Sequence, residues 1–304
     1  MTTPAADYFA QFEAPEESRP ARYQTTRNKY GWYTGLPDPP GFSFRNGIPN
    51  VSTIAGVMPD SYNLNQWKLR QMLIGLKAKP ELLDTFDHRL DVTSKDGKDF
   101  LDVLAGRVLD AAGSNEGADK GTRFHTYTER VDAGEDPAMV ARTMTADEKR
   151  MMRAYLRVRE EEGLTGAPDM IERIVFNSRL GACGTLDRIA VKTAPDGRAV
   201  WMVDDLKTQK SNPTVFDQIK IPVQLAAYAF ADYMLDPYEM KWFPMPQVSR
   251  VVGTVTWVPS VNPGHAEIFK IDLATGWAMA THSHGVRQYR KRKDVVKSLR
   301  KIKV

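Results

Sequence analysis

Three short runs rich in apolar and β-branched residues, at 171–176, 184–192 and 199–206, interrupt a chain whose first half is patterned for helices. Before them, Leu64, Trp67, Met72 and Leu76 follow loose helical spacing, a second helical stretch covers 100–112, and a third starts near Gly117 with Phe124, Thr128 and Val131 on one side. Thr145-Ala-Asp-Glu148 has the spacing of a capping box and opens a charged helix over 146–162 that Gly163 ends. After the three runs a helix is expected over 222–235 with Pro222 in its first turn, then strands at 251–258 and 268–271. From Thr275 onwards the chain reads as helix, with Val295, Leu299 and Ile302 one helical turn apart and cations around them.

Helices, then a β-meander, then helix and strand predict an α/β or α+β fold with a mixed central sheet flanked by helices. The expected organisation is a poorly ordered, Ala-, Pro- and Glu-rich N-terminus over 1–24 and a mostly helical region over 25–112. A core over 113–272 and a basic C-terminal helix over 273–304 complete it. The stretch 30–44 is studded with Gly and Pro and reads as turns and extended chain.

Composition narrows the chemistry. Residues 287–304 carry nine Lys or Arg against Asp294, a local charge of +8, so the net +4 of the chain conceals a mildly acidic body. A basic tail on such a body points to a polyanion. The single cysteine, Cys183, cannot build an internal disulfide, a zinc cage or an iron–sulfur cluster, and a reducing cytoplasm is the expected setting. The first twenty residues lack the apolar core of a secretory leader, and no apolar run is long enough to span a membrane.

The strands around Asp187 and Asp205 flank a Pro-Asp-Gly turn at 194–198. A hairpin symmetric about Asp196 sets Asp187 directly opposite Asp205, with Lys207 on the same face beside Thr185 and Asp204 on the other face. Opposed carboxylates repel, and a divalent cation between them removes the repulsion. With an ammonium alongside to orient an attacking water, the set suits metal-assisted phosphodiester hydrolysis.

These residues resemble the RecB-like branch of the PD-(D/E)XK nucleases. Gly121-Thr-Arg-Phe-His125 resembles its G-x-x-x-H helix, and Gly184-Thr-Leu-Asp187 its G-x-x-D strand. Asp205-Leu-Lys207-Thr208 resembles its D-x-K strand, and Gln224-Leu-Ala-Ala-Tyr228 its Q-x-x-x-Y helix. The stretch 47–54 followed by Leu64 and Trp67 is similar to an N-terminal region of phage-encoded relatives of the CRISPR-associated exonucleases. The resemblance implies a restriction-endonuclease-like core with an N-terminal helical extension. It implies Mg²⁺ or Mn²⁺ held by His125, Asp187, Asp205 and the Leu206 carbonyl, with Lys207 positioning water. It also implies an active-site carboxylate at Glu172, on the strand before Asp187. Gln224, Tyr228 and Thr208 would support the site or a DNA phosphate.

In the basic tail, Arg290, Lys291 and Arg292 would track a nucleic-acid backbone, with Tyr289 available for stacking. The chain departs from the CRISPR-associated pattern in lacking the four cysteines of an iron–sulfur cluster, and it has no P-loop, so neither a cluster nor a nucleotide cofactor is expected. The implied activity is a metal-dependent DNA exonuclease of a phage recombination or replication module, working in the host cytoplasm. The alternatives are a structure-selective endonuclease and a non-catalytic DNA-binding protein on the same fold. DNA is the expected partner. The resemblance leaves room for a homo-oligomer and for a single-strand annealing protein as a neighbour.

Overall fold

The computed structural model describes residues 23–87, 90–194, 196–209, 213–292 and 294. Two compact units emerge, one formed by residues up to Pro59 together with His125 onwards, the other by Asp60–Phe124. The stretch expected as one helical region over 25–112 is therefore divided. Its first part belongs with the sheet because Ile48, Val51 and Ile54 are buried in the apolar clusters there. The expectations for residues 1–22 and for the apolar spacing at 295–302 fall outside the described residues.

In the first unit, the short strands β1 (Thr26–Arg27) and β2 (Tyr33–Thr34) pair with each other. Helix α1 (Val51–Ala55) follows, capped by Asn50, whose side chain accepts from Ser52 N–H. The second unit contains α2 (Tyr62–Ala78) and α3 (Lys95–Ala111). These two can approach closely because a side chain at Gly75 would collide with the Val108 carbonyl. Among the residues of α2 Gly75 alone is buried, and Trp67 is 39% exposed. Helix α4 (Glu116–Asp132) carries the division between the units.

Helix α5 (Ala146–Glu161) starts at the expected capping box: Thr145 accepts from Glu148 N–H and the Glu148 carboxylate accepts from Thr145 N–H. Then come β3 (Leu164–Asn177), β4 (Ala182–Thr193), β5 (Ala199–Lys207) and helix α6 (Val215–Ala229). Strands β6 (Tyr233–Leu235), β7 (Trp242–Pro244), β8 (Val252–Trp257) and β9 (Glu267–Asp272) precede helix α7 (Leu273–Lys291). Seven strands form one mixed sheet in the order β7-β6-β3-β4-β5-β8-β9, with only β5 and β8 parallel. The fold is α+β, a mixed sheet flanked by helices, as its patterning predicts.

Three elements differ from the sequence expectation. Helix α6 begins seven residues early, because Thr214 and Asp217 form a second capping box; Pro222 thus lies inside the helix, not in its first turn. The Pro222 carbonyl packs where a side chain at Gly276 of α7 would stand, so the two helices meet closely at this point. The helix also stops near Phe230, and residues 233–235 join the sheet as β6. Strand β3 starts at Leu164, well before Glu172, and its register against β4 shifts between Gly166 and Ile171. No helix among the described residues is long and apolar enough to cross a membrane.

Candidate metal centre and active site

The β4–β5 hairpin has the expected register. Arg188 pairs with Asp204, Ile189 with Val203, and so on to Thr193 with Ala199, closed by Ala194 N–H donating to Arg198 C=O at 2.8 Å. Gly197 sits at φ +83°, which only glycine adopts freely. Extending this register by one residue brings Asp187 opposite Asp205. There the strands are held by a side chain: Leu206 N–H donates to Asp187 Oδ2 at 2.7 Å.

Adjacent residues on these strands serve opposite faces of the sheet. On one face Arg188 and Asp204 join a buried ionic network, in which Arg159 of α5 donates to Asp204 at 2.6 Å and Thr254 of β8 at 2.8 Å. Arg188 also reaches Asp132 of α4 at 2.9 Å, and Tyr155 donates to that carboxylate at 2.7 Å. Two guanidinium groups and two carboxylates balance, as burial of charge requires. The other face presents Asp187, Asp205 and Lys207.

His125, on the helix that supplies Asp132, turns its ring towards this second face, with Nδ1 3.5 Å from Asp187 Oδ2. The imidazole donates to the Leu206 carbonyl, so the backbone of one residue serves both Asp187, through its N–H, and His125, through its C=O. Burial pulls the His125 pKa below its ordinary value; Asp187 pushes back, and Lys207 and Arg188 add to the lowering. The ring is therefore neutral at neutral pH and keeps a lone pair for a ligand.

Glu172 reaches the same place from β3. The register on either side, Ile171 with Arg188 and Arg173 with Leu186, places it across from Asp187. Its backbone has φ +51°, one of only two positive values at a non-glycine among the described residues. For a glutamate this conformation costs roughly 1–2 kcal/mol. The strand irregularity before Ile171 and this strain accompany a carboxylate brought to the site. His125, Glu172 and Asp187 each offer one ligand atom, and these atoms lie within 4.8 Å of one another.

Asp205 is 2% exposed and sits beside Lys207 Nζ in an ion pair, but neither of its oxygens accepts a hydrogen bond of ordinary geometry. Burial pushes its pKa up to about 7 against the pull of Lys207, with Asp187 adding to the rise. Lys207 is held above its ordinary value, because its carboxylate neighbours, Asp205 and Asp187 foremost, outweigh burial. Of the expected ligands, His125 and Asp187 thus converge with Glu172, while Asp205 faces Lys207 at the edge of the cluster.

Helix α6 covers this face. Gln224 donates to the Tyr228 hydroxyl at 2.9 Å, and burial raises the phenol pKa well above its usual value. Thr208 is half-buried just past the end of β5. Arg290, Lys291 and Arg292 are exposed at the end of α7. Tyr289, expected as a stacking platform, instead has the Arg292 guanidinium over its ring at 5.6 Å, and Arg292 also pairs with Asp294.

Sequence reasoning missed two contributors. Lys220 of α6 has its pKa lowered by burial and, next, by the Lys207 charge, against the opposing pull of Asp217 and Asp205. Its position four residues before Gln224 on a helix was the available signal. Tyr33, 1% exposed, shares a 2.8 Å hydrogen bond with Thr185, and nothing local in the sequence marks it.

The donor set suits a divalent cation. Two carboxylates and a neutral imidazole converge, and a third carboxylate lies buried beside them with Lys207 as its ion-pair partner. Such a mixed N/O set accepts Mn²⁺ readily and Mg²⁺ less so. Comparison with protein-family models and with curated protein sequences finds no match to this chain.

Proposed function

We propose that this protein is a metal-dependent deoxyribonuclease of the RecB-like PD-(D/E)XK type that degrades DNA from its ends. The observation that carries the reading is the convergence of His125, Glu172 and Asp187 beside the buried Asp205–Lys207 pair. These groups come from one helix and three adjacent strands, an arrangement that core packing alone does not require.

His125, Glu172, Asp187 and Asp205, with the Leu206 carbonyl, would hold Mg²⁺ or Mn²⁺. The ion would offset charge on the phosphate oxygens and make the attacking water more acidic. Lys207, fixed by Asp205, orients that water for in-line attack on phosphorus. As the new P–O bond forms, the bond to the departing nucleotide oxygen breaks. The water gives up a proton to bulk solvent, from which the departing oxygen takes one. Water is the only co-reactant, so no nucleotide cofactor takes part. Gln224, Tyr228 and Thr208 brace the strand carrying Asp205 and Lys207, and the cations at Arg290, Lys291 and Arg292 follow the DNA backbone.

The test compares linear with covalently closed circular DNA in Mg²⁺ or Mn²⁺. The linear form should be consumed and the circle spared, with Asp187→Asn and Lys207→Met each reducing the rate at least 100-fold, on the order expected for losing a key electrostatic group. Cleavage of the circle would replace the exonuclease reading with an endonuclease. Retention of DNA without cleavage of either form would leave a binding protein.

A further inference from the structure

A cavity of about 430 Å³ opens beside the carboxylate cluster. Gln24, Thr25 and Arg27 from the start of the described chain line it together with Glu129, Glu172 and Thr185. The volume is at the small end of the range for small-molecule sites, enough for one nucleotide and far too small for a duplex.

Arg27 is pre-positioned there. Its guanidinium lies 4.3 Å from the centre of the Tyr33 ring, and Nη2 donates to the Tyr33 hydroxyl at 2.9 Å. That hydroxyl is in turn hydrogen-bonded to Thr185 at 2.8 Å, two residues before Asp187 on the same face of β4. The arginine is thus tied through Tyr33 and Thr185 to the strand that carries the cluster. Tyr33 takes one face of the guanidinium and a single N–H, and among the described residues Arg27 forms no ion pair. A phosphate entering beside Glu129 and Glu172 would be repelled without a cation in the wall. A planar guanidinium, stacked so that little side-chain freedom remains to be lost, is well suited to supply it.

We infer that this cavity is a nucleotide subsite of the nuclease proposed above: it receives one unpaired nucleotide next to the scissile bond and holds that nucleotide's own phosphate on Arg27. The inference rests on the nuclease reading for the identity of the ligand. A cavity sized for one nucleotide favours frayed or single-stranded ends, whose last nucleotide is free to enter it.

The experiment has a binding arm and a kinetic arm. Calorimetric titration of the full chain with deoxyadenosine 5′-monophosphate in Ca²⁺ should give saturable binding. Deoxyadenosine, which lacks the phosphate, should bind at least tenfold more weakly. Arg27→Met should weaken the monophosphate by about tenfold or more, the loss expected for charge-assisted hydrogen bonds, and leave deoxyadenosine unchanged. On linear DNA the same variant should raise KM with little change in kcat. Should Arg27→Met fail to fold, Arg27→Lys and the comparison of the two ligands on the unaltered protein still decide the matter. Equal binding of nucleoside and monophosphate, or no binding of either, overturns the subsite. Unaltered protein that binds the monophosphate through Arg27 but cuts no DNA sinks the nuclease reading and leaves the nucleotide site standing. Active protein whose KM ignores Arg27 does the reverse.

Discussion

The ring of Tyr228 occupies the space a side chain at position 184 would need. A Cβ built on Gly184 would overlap the ring at Cε1, with Cζ at 3.0 Å and the hydroxyl at 3.1 Å. The glycine of β4 and the tyrosine of α6 are therefore two halves of one contact, which brings the helix down onto the strand that carries Asp187. Gly184→Ala must displace the ring, at a cost of about 1–3 kcal/mol. Chemical denaturation of Gly184→Ala, Tyr228→Leu and the double variant should show strong non-additivity, the second substitution costing less once the first is made. Additive losses would mean the contact does not govern the packing.

Asp204 and Asp205 are neighbours with opposite tasks. Asp204 accepts from Arg159, Arg188 and Thr254, so Asp204→Asn leaves two buried guanidinium groups short of a counter-charge. A loss of about 3–5 kcal/mol is expected. Asp205 loses only its ion pair with Lys207, which keeps Asp187 as a second counter-charge, and burial already disfavours the ionised carboxylate. Asp205→Asn should be no less stable than the unaltered protein in chelator at pH 8, and devoid of cleavage. Comparable destabilisation by both substitutions would contradict the division of faces.

That contrast has a pH dependence. The Asp205 carboxyl titrates at about 7 in the folded protein, against an ordinary 3.8, chiefly because it is buried. Between those values the folded chain keeps a proton that the unfolded chain has released. The resulting stabilisation is complete below the ordinary value and disappears as pH rises through about 7. In chelator, the melting temperature of Asp205→Asn relative to the unaltered protein should therefore climb from pH 5 to pH 8. A difference that stays flat across this range would argue against a raised pKa.

Much of the β4–β5 hairpin was legible in advance, because a Pro-Asp-Gly turn and one facing acidic pair are enough to set a register. The capping box at Thr145 was legible for the same kind of local reason. Helix α6 was misplaced because Pro222 reads as a starting residue, whereas the competing signal, Thr214 with Asp217, lies earlier in the chain. Long-range features left no local mark. The register shift in β3, the pairing of Tyr33 with Thr185, and the partition of 25–112 between two units all depend on which surfaces meet. Glu172 and His125 were readable as residue types on plausible elements. Their convergence with Asp187 required the sheet.

Glu172 combines backbone strain with a place in a cluster of acids. Asparagine tolerates the left-handed region better than glutamate and removes a negative charge. Glu172→Asn should therefore raise metal-free stability by roughly 1 kcal/mol, since local strain of this kind costs on the order of 1–3 kcal/mol. It should also weaken divalent-ion binding. Thermal melts with and without Mn²⁺ test both parts at once: the variant should melt higher in chelator, with a smaller upward shift on adding the ion. A lower melting point in chelator would show that the conformation at residue 172 is not a cost borne for the site.

His125 sets the expected choice of metal. Its ring is held neutral by burial and oriented by the Leu206 carbonyl, next to Asp187 at 3.5 Å. Imidazole nitrogen favours Mn²⁺ over Mg²⁺, whereas the carboxylates serve both ions. His125→Ala should therefore raise the Kd for Mn²⁺ by at least tenfold, in line with the losses seen when groups around a metal are removed. Binding of Mg²⁺ should change less, narrowing the preference between the two ions. Paramagnetic resonance of free Mn²⁺ reads the first effect directly, and competition with Mg²⁺ reads the second. Equal losses for both ions would mean that His125 acts through the fold, and unchanged Mn²⁺ binding would remove it from the ligand set altogether.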